Sequence, residues 1–131
     1  MTKPQRILIV ADDEAQRELI RRTLEERGFA VATATDGSGA AEALLESRFD
    51  LIVISLARTA DGVALIEQVR SRPKSANTLL LVLAEWGTGQ ATLALAQGAD
   101  AFEPAPIDAS RLIASIEELF HQKAVVAERG I

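Results

Sequence analysis

Five short apolar runs recur along the chain, each separated from the next by a turn signal and a longer segment of helical period. They are Arg6 to Val10, Phe29 to Thr33, Asp50 to Leu56, Leu79 to Leu83 and the brief Ala101-Phe102. The first, third and fourth are almost continuously apolar, which is what a strand covered on both faces of a parallel sheet requires. Between them the helices announce themselves. Asp13 can cap the first and, with Gln16 three residues on, resembles a capping box; Leu19, Ile20 and Leu24 keep the period until Gly28 stops it. Asp36-Gly37-Ser38-Gly39 turns into a second helix carrying Ala40, Ala43, Leu44 and Leu45, and a third is predicted from Gly62 to Val69. A loop around Trp86-Gly87-Thr88-Gly89 leads to a small-residue helix from Gln90 to Gln97. Asp108 can cap the last helix, whose apolar stripe is Leu112, Ile113, Ile116, Leu119 and Phe120.

Strand and helix in alternation, joined by right-handed crossovers, give a doubly wound α/β sandwich with a five-stranded parallel sheet, and the flavodoxin-like order 2-1-3-4-5 is the expected one. The ligand crevice of such a sheet lies beyond the carboxyl ends of its strands, where the order reverses. Here that point follows the first and third strands and gathers Ala11, Asp12, Asp13 and Ser55.

The 131 residues suit one domain, read as residues 1–121, with 122–131 a tail or an extension of the last helix. With 19 acidic and 14 basic residues the formal charge is −5, which argues against a surface that holds nucleic acid by neutralising phosphates. Arg17, Arg21 and Arg22 share their helix with Glu18, Glu25 and Glu26, which reads as a mixed solvent face. The runs Leu51 to Ile54 and Leu79 to Ala84 are far too short to cross a bilayer, there is no cysteine, and no signal-peptide core follows Met1. A soluble, cytoplasmic protein with no nucleic-acid or membrane partner is expected.

Several local motifs recur at characteristic spacing: Ile7-Leu8-Ile9-Val10 before acids, Arg17-Glu18-Leu19, Gly28-Phe29, Asp36-Gly37, Asp50-Leu51-Ile52-Val53, Asp61-Gly62 and Gly98-Ala99-Asp100. From Ile7 to Phe120 the chain resembles the receiver domain of two-component response regulators, the CheY-like superfamily. The resemblance implies an aspartate that takes up phosphate, a divalent cation held by acids, and a hydroxyl and a lysine that stabilise the transferred group. Ser55 stands at the phosphoacceptor place. The adjacent acids fall on Ala11 and Asp12, the hydroxyl on Leu83 or, with one residue missing, on Ala84, and the lysine on Ala105. Asp13 lies one place late and reads as a helix cap. The loop from Leu56 to Gly62 is one residue shorter than the family's, so the metal-binding carbonyl expected at Ala57 is displaced.

The pattern is that of a degenerate pseudo-receiver, not an enzyme and with no cofactor. Asp12 alone would remain as a side-chain ligand, so magnesium binding is expected to be weak or absent. The resemblance also implies a cis Ala105-Pro106 bond and places Phe102 at the switch aromatic, where it either switches or stays packed in the core. Partners would be signalling proteins such as a histidine kinase or an output domain, met through the face of the fourth helix, fifth strand and fifth helix, with Leu93, Leu95 and Glu103. Trp86 is a further contact candidate, since tryptophans are enriched at binding hot spots. One alternative is phosphate uptake at Asp12 or Asp13. Another, of a different class, is a small flavodoxin-like enzyme or nucleotide binder, although no Gly-x-Gly-x-x-Gly or P-loop is present and His121 reads as a solvated helix-end residue. Oligomeric state is left open by the sequence.

Overall fold

The computed structural model describes residues 3–85 and 87–129. Its elements alternate as β1 (Arg6–Ala11), α1 (Glu14–Glu26), β2 (Ala30–Ala34), α2 (Gly37–Glu46), β3 (Leu51–Ser55), α3 (Thr59–Ser71), β4 (Leu79–Ala84), α4 (Thr88–Ala96), β5 (Ala101–Pro104) and α5 (Ala109–Arg129). The strands form one parallel sheet in the order β2-β1-β3-β4-β5, the flavodoxin-like order that the strand and helix rhythm implies.

Alternation along the three central strands divides the core in two. Ile7, Ile9, Ala11, Leu51, Val53, Leu79, Leu81 and Leu83 face α1 and α5, meeting Ile20, Leu24, Leu112 and Ile116. Leu8, Val10, Ile52, Ile54, Leu80, Val82 and Ala84 face α2, α3 and α4, meeting Ala40, Leu65, Ile66, Val69 and Ala94. Both faces are dry, which is why these strands read as unbroken apolar runs rather than as alternating ones. Each large side chain so buried is worth about 1.5–3 kcal/mol over leaving it in water.

Of the boundaries that differ from the sequence expectation, four bear on how the elements start and stop. The second strand starts at Ala30, because the Phe29 amide still bonds the Leu24 carbonyl at 3.2 Å and closes α1 over Gly28, whose φ is +88°. α3 begins at Thr59, three residues before Gly62, on a cap at Arg58 that makes no side-chain hydrogen bond and so leaves no signature. α4 begins at Thr88, since Gln90 Oε1 accepts from the Gly87 amide at 2.8 Å and draws the glycine-rich segment into the first turn. α5 runs unbroken to Arg129, so residues 122–129 continue the helix and His121 lies within it, not at its end.

At the amino ends of the strands, Arg70 of α3 ties the layers together. Its guanidinium donates twice to the Gly98 carbonyl, at 2.9 and 2.7 Å, and also to the carbonyls of Ala76 and Thr78 and to Asp100 Oδ2. Gly98 has φ +122°, and a Cβ there would lie 3.0 Å from Arg70, so both backbone shape and side-chain approach demand glycine.

Candidate functional site

The carboxyl ends of β1 and β3 end in register, Ala11 opposite Ser55. Side chains two apart share a face of a strand, so Ala11 and Ser55 continue the series that faces α1 and α5. Leu83 belongs to the same face and Ala84 to the other. Of the two positions left open by the sequence, Leu83 therefore shares the Ser55 side of the sheet. Around them lies a cleft of about 620 Å³, lined among others by Asp12, Gln16, Leu19, Ser55, Leu83 and Ala105. Leu19, expected as part of the buried stripe of α1, is 42 % exposed and opens onto this cleft.

The polar groups of the cleft are turned on one another. Ser55 is buried, and its Oγ donates to Gln16 Oε1 at 2.7 Å. Asp12 Oδ2 accepts from the Ala57 amide at 2.9 Å, which bridges the β1–α1 and β3–α3 loops. Asp13 Oδ2 accepts from the Gln16 amide at 2.8 Å, so this carboxylate caps α1. Arg17 Nη1 donates to the Ala11 carbonyl at 2.9 Å. Two expectations are corrected here. Gln16 does not complete a capping box, because its side chain is taken by Ser55, whose buried hydroxyl needs an acceptor. Arg17 is not confined to the charged solvent face, where Arg21 bonds both Glu18 and Glu25: its charge still acts on Glu18, but its guanidinium folds back to the Ala11 carbonyl at the end of β1.

Sequence reasoning missed Gln16 as a cleft residue, and missed the hold of Arg17 on the Ala11 carbonyl beside it. A buried serine hydroxyl calls for a partner, and a long amide side chain on the adjoining helix was the available signal. On the far side of the cleft the Ala105-Pro106 bond is cis, as the resemblance implied, and the Ala105 amide bonds the Ala84 carbonyl at 3.2 Å. Leu83, Ala84 and Ala105 carry no polar side-chain atom, and no group of three or more His, Cys, Asp or Glu side chains able to hold a metal ion occurs among the described residues. Asp13 is engaged in capping α1, and Asp12 spends Oδ2 on the Ala57 amide, so of the two acids that follow β1 Asp12 is the one not engaged as a helix cap.

The remaining sequence candidates lie along α4, β5 and α5. Phe102 pairs with Val82 and is half-buried against the α2–α4 side of the core. Glu103 is drawn toward α5: Oε2 accepts from Ser115 Oγ at 2.9 Å, and Oε1 lies 3.5 Å from Arg111. Leu93 and Leu95 are exposed. Trp86 lies outside the described residues.

Taken together, sheet order, cleft position and loop geometry define a doubly wound α/β module whose cleft opens at the switch point of the strand order. The chain belongs to the response regulator receiver domain family, whose model matches residues 7–117. It is 32% identical over 120 residues to the response regulator MprA of Mycobacterium sp. (strain KMS), an alignment covering 91% of this chain and 52% of that protein. Protein PetR of Rhodobacter capsulatus is likewise 32% identical over 120 residues, covering 91% of this chain and 50% of the relative. The chain thus spans about half the length of the curated relatives it matches. Among solved structures, the signal receiver domain of a signal transduction histidine kinase from Syntrophus aciditrophicus superposes with a TM-score of 0.81 at 27% identity, covering 90% of this chain and 91% of that one. Its relatives are signalling proteins, and among the described residues no helix is long and apolar enough to cross a membrane.

Proposed function

We propose that this receiver domain signals without taking phosphate at the end of β3 and acts by binding protein partners, a histidine kinase or an output domain among them. The observation that carries this is Ser55: it stands in register with Ala11 at the switch point and spends its hydroxyl on Gln16. Acyl-phosphate formation needs a carboxylate nucleophile, and transfer of the phosphoryl group depends on positive charge and donors set around its oxygens. A serine hydroxyl needs an adjacent base to act as a nucleophile; the side chain that it meets here is an amide, which is no base. Leu83 and Ala105 offer the phosphoryl oxygens nothing, and magnesium binding at Asp12 is weak or absent on this reading. Each loss lies on a different strand end, so no single reversal rebuilds the site.

The test is incubation of the full chain with acetyl phosphate and magnesium, followed by intact-mass measurement. No mass gain is expected, either in the natural chain or in Ser55→Asp. A hydroxylamine-labile phosphoryl group on Asp12 or Asp13 would overturn the reading in favour of uptake at a displaced acid, and efficient uptake by Ser55→Asp alone would show that the rest of the machinery is intact.

A further inference from the structure

A second concavity lies at the opposite end of the sheet. The carboxyl ends of α2 and α3, Phe49 ahead of β3, and the segment ahead of β4 enclose a groove of about 440 Å³. Its apolar lining is Leu44, Leu45, Phe49 and Pro73. Leu45 is 72% exposed, the most open large apolar side chain among the described residues. Such a side chain, set in a concave apolar surface, is the kind of feature that marks a contact site rather than a scattered surface leucine.

The charge of this groove runs against that of the chain. Arg48, Arg72 and Lys74 line it, and the Arg6 guanidinium sits 5.2 Å from the Phe49 ring centroid. No acidic side chain lines it, and Asp50, the acid beside Phe49, already accepts from the Arg6 amide at 2.7 Å. Three arginines elsewhere are paired, Arg21 with Glu18 and Glu25, Arg70 with Asp100 and Arg111 with Glu103, while Arg22, Arg27 and Arg58 stand singly on the surface rather than together in a hollow. Arg48, Arg72 and Lys74 have no side-chain hydrogen bond or ion pair among the described residues. Their presence could be put down to the helix ends, since the carboxyl termini of α2 and α3 meet here. Each terminus is worth about half a negative charge, so the two together offset about one of the cations and leave the groove strongly positive. On a chain of net charge −5 this is a local inversion.

We infer that this groove docks an acidic polypeptide segment carrying large apolar side chains. The cations match carboxylates, and the leucine-lined floor matches aliphatic or aromatic anchors. Nucleic acid is disfavoured by the lack of a stacking platform, for Phe49 is only 8% exposed and Arg6 covers its ring. A lipid surface is disfavoured because the apolar residues line a hollow rather than project from a convex face. The inference goes beyond the reading of Ser55 and uses none of its residues, so either stands if the other falls.

The probe is the octapeptide Asp-Glu-Leu-Asp-Glu-Phe-Leu-Glu with blocked ends, titrated into the ¹⁵N-labelled full chain. Amide shifts confined to residues 44–49 and 72–78 are expected. Binding should weaken by about tenfold or more in the triple variant Arg48→Glu, Arg72→Glu, Lys74→Glu, and similarly when lysines replace the acids of the peptide. Leu45→Ser, at an exposed position that folding does not depend on, should weaken it too, and so should alanines at the apolar positions of the peptide. Shifts that fall elsewhere, no shifts at millimolar peptide, or equal competition by a single-stranded oligodeoxynucleotide of the same charge would each overturn the inference. So would a sedimentation dimer of the free chain abolished by the triple variant, since a second copy would then be the occupant.

Discussion

The two ends of this sheet solve the same problem in opposite ways. At the carboxyl end, where the family places its reaction, polar groups are matched within the chain: Ser55 with Gln16, Asp12 with the Ala57 amide, Arg17 with the Ala11 carbonyl, Asp13 with α1. At the amino end one arginine, Arg70, is engaged as fully as a guanidinium can be, while Arg48, Arg72 and Lys74 around it are left for solvent or a partner. A receiver is ordinarily open at its carboxyl end, where it must admit metal and phosphate. Here the polar groups around the carboxyl-end cleft are paired within the chain, whereas three cations at the amino end are not.

Three measurements would break or sharpen that contrast. The largest effect is expected from Arg70→Ala, which strips donors from the carbonyls of Gly98, Ala76 and Thr78 and leaves Asp100 without its cation. Because the arginine side chain is about a quarter exposed, at 23%, solvent will compensate in part, and a loss of about 3 kcal/mol is expected in urea unfolding. A loss below about 1 kcal/mol would mean that the amino end is not held by this residue. Gln16→Ala comes next. It leaves the buried Ser55 hydroxyl without its acceptor, a cost of about 1–2 kcal/mol, and adding Ser55→Ala should recover most of it, because the double variant has no orphan. Strict additivity would show that the pair does not brace the site.

The smallest effect concerns acid. The hydrogen bond from Arg21 holds the Glu18 carboxyl below its ordinary value of 4.5, and the nearby charges of Arg21, Arg22 and Arg17 act in the same direction. A depressed folded-state value contributes stability that is present above the unfolded value and is lost as pH falls through the folded one. Since the pair is at the surface, the acid limb of a thermal melt should change only slightly in Arg21→Ala, while the Glu18 carboxyl resonance should titrate at higher pH. An unmoved titration would leave the pair without energetic content.

The fold was legible because the informative signals were redundant. Leu51 to Ile54 and Leu79 to Leu83 could only be buried strands, and the turn residues between runs agreed with the helical periods. Boundaries slipped where backbone alone decided them, as at Phe29, whose amide belongs to the end of α1, and at Arg58, which caps α3 without a side-chain bond. The strand ends that border the cleft were readable from spacing, yet the faces taken by Leu83 and Ala84 were not, because counting residues does not say which face a side chain takes. Register does: one step along β4 exchanges one side of the core for the other. Gln16 and Arg17 escaped for a different reason. Their place on the helix says solvent-facing, and only the reach of long side chains brings them back over the strand ends.

The sheet has two edges, and they are not equally protected. β5 stops after four residues at Pro104 and carries the charged Glu103, two features that discourage another strand from adding on. β2 has neither. Its Ala-Val-Ala-Thr-Ala pairs only with β1 and offers an uncharged row of small side chains on its free side. If this domain is stored concentrated or partly unfolded, intermolecular strand pairing should begin along Ala30–Ala34, and a lysine in place of the exposed Thr33 is the simplest way to keep the protein in solution.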